Sequence, residues 1–578
     1  VRLRLVVGVV GFFIVAAVVL AGIMAGPGLF ASRTSIGDSQ TPVTSGNPIV
    51  LENTHVGTSS WKIAVGKASS TQIQAYASAT SALPGQQLTF YVSTLNQGTA
   101  YSIDIYRLGW YAGSGGRLML SVPYRTGHAQ GYYDSASHLL VNCLSCHFDP
   151  KTGLVEANWE PSYTLAVPPD WTTGIYLAKF TDVNGKQTYV PFDVRGSSHS
   201  LYVAVTPDTT YAAYNIWGGY SLYQAASSVP LDEAKNAQRG VKVSFDRPYT
   251  TDNGSSQVLV FEADAVHWLE RQGYDLSYIS DVDLHEQPAQ LLDHRAYLSL
   301  GHDEYWTKEM RDGVEHARDR GVGLAFLGAD AGYWQMRFEP DSAGRPDRTI
   351  VCYKVQTANN DLALDPLYRR DKTLLTTQWR DPALARPENA LIGIMYSDLT
   401  HQQQGFPWTL SPLAKSALLD GTGLRPGQQY GCGLVGYEWD SVFANGATPK
   451  GLQVIGASHT VNDTKKPGTG NTTYYIAPSG VMVFATGSIY WALALDNYRF
   501  QTDKLCAGQS LVVPGMQKLM AHVMDALVVH HPVLQQTLVP TTTTAVSIQL
   551  EIALSAVVDS SSSKRRMTMR PLSVDCSE

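Results

Sequence analysis

Charge is scarce in this sequence. Lys, Arg, Asp and Glu supply only 16% of its 578 residues, the formal net charge is −7, and basic residues gather in no block longer than Lys564-Arg565-Arg566 near the C-terminus. A nucleic-acid-binding role, which needs a basic stripe or patch, is therefore excluded. No Gly-x-Ser-x-Gly elbow follows a strand-like segment, which argues against a Ser-His-Asp hydrolase. Cysteine is also sparse, with six residues: Cys143, Cys146, Cys352, Cys432, Cys506 and Cys576. None follows the apolar start of the chain, so a lipoprotein is disfavoured. None lies near Asp303, where a thiol amidotransferase would carry its nucleophile at a strand-to-helix turn.

Arg2 and Arg4 precede an uncharged run from Leu5 to Ser32, rich in Val, Leu, Ile, Phe, Ala and Gly. A positive start and an apolar segment of that length suit a bilayer span. Residues 1–35 are read as a signal peptide or membrane anchor, with the anchor favoured because no small-x-small cleavage site stands out. The body of the protein is then extracytoplasmic, membrane-anchored or secreted. Residues 36–70, rich in Ser, Thr, Gly and Pro, read as a linker, and 536–578 as a disordered tail.

Two grammars occupy the space between. Over 71–197, short alternating segments such as Gln87–Ser93, Tyr101–Tyr106 and Gly174–Phe180 are separated by turns, predicting an antiparallel, immunoglobulin-like β-sandwich. Over 198–535, strand-like and helix-like stretches alternate: strands at 201–205, 258–262, 276–279, 297–300 and 323–327, and helices at 263–272 and 307–320. That order predicts an α/β domain with a mostly parallel sheet, like the flavodoxin-type sheet of amidotransferases.

Ligands in such sheets collect at the carboxyl ends of strands. Gly301-His302-Asp303-Glu304-Tyr305-Trp306 lies at one such end, although Asp303 or Thr307 there could equally cap the next helix. The Tyr-rich segment 210–223 follows the strand 201–205, and Gly436-Tyr437-Glu438-Trp439-Asp440 lies in a region of loops and short strands. Packing accounts for most single tyrosines, but polar atoms converging on one sheet edge point to chemistry.

Taken together, the segment from Tyr211 to Tyr223, Ser244-Phe245-Asp246-Arg247-Pro248-Tyr249, Gly-His-x-Glu-Tyr-Trp and Gly-Tyr-Glu-Trp-Asp resemble the large (beta) subunit of bacterial N,N-dimethylformamidase and the family sharing its carboxyl-terminal domain. Tyr106-Arg107-Leu108-Gly109-Trp110-Tyr111 extends the likeness into the β-domain. The resemblance implies a mononuclear Fe(III) held by Tyr214, Tyr223 and Glu304, with Tyr211 as a rival to Tyr214. It implies His302 as the acid/base partner and Glu438 as a second catalytic carboxylate. Relatives place a side-chain amide after the next strand, where this chain has Ala329-Asp330-Ala331. The activity so implied is hydrolysis of a C–N bond in a linear amide, a small molecule or extracellular material. The alternative is an extracellular glycan- or surface-binding module. The sequence leaves a homo-oligomer open and assigns any membrane contact to the N-terminal segment.

Cys143-Leu144-Ser145-Cys146-His147 has the spacing of covalent haem c attachment. A local disulfide is the preferred reading in an oxidising compartment, with haem c the weaker one. Cys352 and Cys432 could form a further bridge.

Overall fold

In the computed structural model of the protein, residues 46–196, 199–225, 239–498 and 505–530 are described. The expected anchor, the first part of the expected linker and the expected tail lie outside them. Among the described residues no helix is long and apolar enough to cross a membrane.

Two sheets face each other in the N-terminal part. One has the order Ile73–Ala77, Gln87–Thr94, Tyr163–Ala166; the other Ser81–Ala82, Gln187–Val194, Gly174–Asp182, Ala100–Leu108, Gly116–Thr126. Period-two alternation sends Leu88, Phe90 and Val92 of the first sheet and Ile103, Ile105, Phe180 and Phe192 of the second into one shared core. The second sheet is apolar on its other face as well. Tyr106, Leu108, Ile175 and Leu177 join a different core with Val258, Leu259, Val266 and Leu269. Arg107, between Tyr106 and Leu108 on the strand Ala100–Leu108, forms an ion pair of 2.7 Å with Glu270, both side chains fully buried.

The central sheet is built from β1 (Tyr202–Thr206), β2 (Leu276–Ser280), β3 (Ala296–Gly301), β4 (Gly323–Gly328), β5 (Gln453–Val461), β6 (Pro467–Ile476) and β7 (Met482–Ala485), in the order β2-β1-β3-β4-β7-β6-β5. The pairings among β2, β1, β3, β4 and β7 are parallel, and those of β6 with β7 and with β5 are antiparallel. Continuous apolar runs form β1, β3 and β4 because both faces are covered. The helices that matter below are α1 (Asp208–Tyr214), α2 (Ala263–Arg271), α3 (Asp281–Glu286), α4 (Lys308–Asp319) and α5 (Pro514–Leu527).

The expected flavodoxin-type α/β domain is overturned. The chain is β-rich, 33% strand against 22% helix, and among the described residues its strands are divided among nine sheets, most of them of two or three strands. The physical reason lies between β4 and β7. That region has many Gly, Pro, Asp and Asn residues and no sustained apolar stripe at helical spacing. It folds into short strands, among them Thr349–Val351, Met395–Leu399, Gln429–Val435 and Glu438–Ser441, joined by single helical turns. A second correction concerns Val258–Glu262, expected as a strand. It is a helical turn running into α2. A short, wholly buried apolar run has no periodicity to separate strand from helix.

Candidate active site

The carboxyl end of β1 leads into α1, whose last residue is Tyr214. The chain then reverses around Asn215, whose Oδ1 accepts from the Trp217 and Thr250 amides at 3.2 Å and whose Nδ2 donates to the Pro248 carbonyl at 2.9 Å. Arg247, also buried, donates to the carbonyls of Trp217 (2.7 Å), Tyr220 (2.8 Å), Asn215 (2.9 Å) and Ala212 (3.4 Å). One guanidinium thus fixes the loop that returns Tyr223 to Tyr214, and the two rings stack with centroids 4.3 Å apart. Tyr211, one turn earlier on α1, faces away, toward Glu262 and Tyr249.

β3 ends at Gly301, whose φ is +57° and where a Cβ would stand 2.2 Å from Glu262 Oε1; the turn there requires glycine. Asp303 is turned into the fold. It accepts from Ser299 Oγ at 2.7 Å and from Trp306 Nε1 at 2.6 Å, so it braces the turn. Thr307 caps α4 by accepting from the Met310 amide at 3.1 Å. The Glu304 amide donates to Thr210 Oγ1 of α1 at 2.9 Å. Backbone and caps are therefore spent on holding His302 and Glu304 at the sheet edge.

All five expected site residues come together there. Tyr214 Oη donates to Glu304 Oε2 at 2.9 Å, and Tyr223 Oη donates to Glu304 Oε1. His302 Nε2 lies 3.4 Å from Glu304 Oε2 and 3.3 Å from Glu438 Oε2. Glu438 comes from the other side of the edge, at the start of the strand Glu438–Ser441. His302 and Glu304 are essentially inaccessible, whereas Tyr223 keeps 37% of its surface, so the cluster reaches the outside along that tyrosine.

The electrostatics are those of a crowded anionic site. Burial, then the negative charge of Glu304, pushes both phenols well above the usual range. Burial pulls His302 down, but Glu438 and Glu304 outweigh it and raise it to about 10. Burial pushes Glu304 up, but His302 overcomes this and holds it below the usual carboxylate range.

Two further residues belong to the site. Asp330, just past β4, has φ +59° and is pinned by its own amide, which donates to Asp440 Oδ1 at 2.8 Å. Its carboxyl is raised by burial and then by Glu304 and Glu438. A ligand atom of Asp330 lies within 4.8 Å of one each from His302 and Glu438. Lys354 sits 3.3 Å above the Tyr223 ring and is pulled down to about 8 by burial against the opposing charge of Glu304. Asp330 stood in the sequence at a strand end and was legible as a departure from the family pattern. Lys354 is far from every motif, and nothing in the sequence pointed to it.

Fitness for a metal can be judged from the donors. Both oxygens of Glu304 meet a phenol. Glu438 Oε2, Asp330 Oδ1 and the His302 ring nitrogens are buried without a hydrogen-bond partner. An oxygen-dominated set with no thiolate suits a hard cation and does not match structural zinc. A bound cation also favours ionised phenol where burial opposes it. The residues fit.

The cysteine pairing is a separate matter. Cys143 and Cys146 are joined to each other, and Cys432 is joined to Cys506. Cys352 is free and buried, so the expected Cys352–Cys432 bridge is corrected: Cys352 follows the buried strand Thr349–Val351, whereas Cys432 lies where Leu505 and Cys506 pack.

Comparison with known proteins bears on all of this. The N,N-dimethylformamidase beta subunit of Alcaligenes sp is 24% identical over 224 residues, covering 32% of this chain and 29% of that protein. The chain thus spans less than a third of that relative. Among solved structures, a variant of the superoxide reductase (neelaredoxin) from Ignicoccus hospitalis aligns at 11% identity over 22% of this chain and 82% of its own, with a TM-score of 0.13. A cycloisomaltooligosaccharide glucanotransferase from Paenibacillus sp. aligns at 10% identity over 48% of this chain and 57% of its own, with a TM-score of 0.15. At such scores neither bears on the fold. The profile described as "N,N-dimethylformamidase beta subunit-like, C-terminal" matches residues 102–504 and so takes in much of the N-terminal sheets as well as the central one. The chain belongs to the N,N-dimethylformamidase beta subunit-like family.

Proposed function

We propose that this protein hydrolyses a C–N amide bond with a ferric ion held by Tyr214, Tyr223 and Glu304. The observation that carries the reading is the convergence of two stacked phenols on the two oxygens of one buried carboxylate. Two phenolates and a carboxylate balance a trivalent charge. When bound, the ion supplies Lewis acidity toward the amide carbonyl and the attacking water. The protein's own groups handle the protons. Glu438 and His302, 3.3 Å apart, form a pair in which the carboxylate can take a proton from water and the protonated imidazole can give one to the departing nitrogen. Burial of this pair keeps bulk water from levelling its acidity. A neutral amide needs no basic pocket, which suits a chain with only 16% charged residues. The Cys143–Cys146 and Cys432–Cys506 bridges support a place for the body of the chain outside the cytoplasm.

Metal analysis tests the proposal. Purified protein is expected to hold about one iron per chain, with a visible phenolate-to-iron absorption band. Glu304→Ala removes both the metal and the band. Unchanged iron in that variant excludes Glu304 as a ligand, and a wild-type protein without iron that still cleaves amides refutes the metal.

A further inference from the structure

At the sheet edge three donors stand apart from the ligands assigned to iron. One ring nitrogen of His302, one carboxyl oxygen of Asp330 and one of Glu438 lie within 4.8 Å of one another, and all three residues are buried. Glu304 has no oxygen to spare for this group, because Tyr214 and Tyr223 each engage one.

The backbone holds the trio. β3 and β4 pair with Gly301 opposite Gly328, so His302 and Asp330 leave neighbouring strand ends. The Asp330 amide donates at 2.8 Å to Oδ1 of Asp440, which lies two residues beyond Glu438. The third donor is thereby tied to the second.

None of these atoms is satisfied within the protein. Asp330 Oδ1, Glu438 Oε2 and both His302 ring nitrogens are buried without a hydrogen-bond partner. Buried carboxylate oxygens in that state are costly unless a cation meets them. His302 Nε2 and Glu438 Oε2 are 3.3 Å apart but lack the orientation of a hydrogen bond. Two donors on one tetrahedral zinc ion, with bonds of about 2.0–2.1 Å, stand roughly 3.3 Å apart. One nitrogen and two oxygens suit zinc or a similar divalent transition ion, whereas magnesium and calcium favour all-oxygen sets.

We propose that His302, Asp330 and Glu438 form a second metal site, for a zinc-like divalent cation, whose filling silences the hydrolase. The silencing rests on the hydrolase reading above; the site itself does not. An imidazole bound to the ion through Nε2 has no proton there to give, and a Glu438 oxygen bound to it takes none from water. Both halves of the proton-handling pair are then withdrawn, while the three iron ligands keep their places.

The test adds zinc chloride to the iron-loaded full protein and follows calorimetry, the visible phenolate band and acetate release from acetamide. One zinc per chain is expected to bind with the band retained, and cleavage to fall in proportion to occupancy. Asp330→Asn, nearly unchanged in shape, and Glu438→Gln each lose a carboxylate. Each should weaken zinc at least about tenfold, since even the outer partners of metal ligands are worth about 10–100-fold. Zinc held equally by wild type and both variants lies elsewhere and overturns the inference. Zinc that expels iron and bleaches the band also overturns it, because the two sites are then one. Full cleavage with zinc bound at the Asp330-dependent site overturns the silencing. Cleavage by a protein that takes up no zinc overturns the second site and leaves the hydrolase reading intact. Asp330-dependent zinc binding by a protein that holds no iron and cleaves no amide overturns the hydrolase reading and upholds the site.

Discussion

Replacing Arg107 with Met should be among the most damaging single changes far from the catalytic cluster. Arg107 donates to both oxygens of Glu270, at 2.9 and 2.7 Å, and twice to the Thr173 carbonyl, at 3.1 and 2.7 Å. Its Nη1 also lies 3.0 Å from the Leu108 carbonyl and from Tyr111 Oη. Removing the guanidinium leaves Glu270 buried with only Asn53 Nδ2 at 2.9 Å and Tyr278 Oη at 3.1 Å as donors. Breaking a buried pair from one side costs about 3–5 kcal/mol, because the stranded charge keeps its desolvation penalty. Met fills much of the same volume, so packing loss adds little. The double variant Arg107→Met/Glu270→Met removes the stranded charge and should recover most of that loss. Urea unfolding of the four proteins, with hydrogen exchange over 258–271, reads the effect. A single variant within about 1 kcal/mol of wild type, or a double variant as weak as the two singles summed, would refute the reasoning.

The Cys432–Cys506 bridge spans 74 residues of sequence; chain entropy assigns a closure of that size roughly 4–5 kcal/mol, with about 2–4 typical in practice. Cys432→Ala/Cys506→Ala is expected to lower the unfolding midpoint accordingly, and an unchanged midpoint in non-reducing buffer would show the bridge to be idle. Acid stability should depend on Asp208. Thr206 Oγ1 lies 2.6 Å from Asp193 Oδ2 and 2.8 Å from Asp208 Oδ2, and its single hydrogen can serve one of them. Burial raises Asp208 from 3.8 to about 7. Between those pH values the folded chain keeps a proton that the unfolded chain has lost. This contribution to stability is therefore complete below about pH 4 and is lost as pH rises through 7. Asp208→Asn, neutral throughout, should remove that decline, so its stability relative to wild type grows between pH 5 and pH 8, as thermal melts across the range would report.

The sequence made the site more legible than the architecture around it. His302 and Glu304 were marked by a strand end followed by a helix start, a local signal. Tyr214 and Tyr223 needed the whole Tyr211–Tyr223 segment, because one tyrosine among 31 says nothing by itself. Choosing Tyr214 over Tyr211 depended on where α1 stops, a matter of one turn that spacing does not decide. Val258–Glu262 misled because complete burial erases periodicity. The region between β4 and β7 misled differently: its small sheets are held by long-range pairings, such as Met395 opposite Ser441 and Phe406 opposite Val435, and no local pattern announces them. Lys354 reaches the site through such a region, and so it was invisible.

At the bottom of the sheet edge two glycines face each other across adjacent strands. A Cβ on Gly328 would fall 1.6 Å from the Gly301 carbonyl oxygen. The floor beneath the reacting groups is thus bare peptide, a notch with no side chain that mutation could reshape gradually. An alanine at 328 collides with main chain, which cannot swing aside as a flexible side chain would, and one at 301 meets the buried Glu262 carboxyl. Redesign of this protein for other amides therefore has its freedom in side chains beside the cluster, such as Asp330 and Lys354, and almost none underneath.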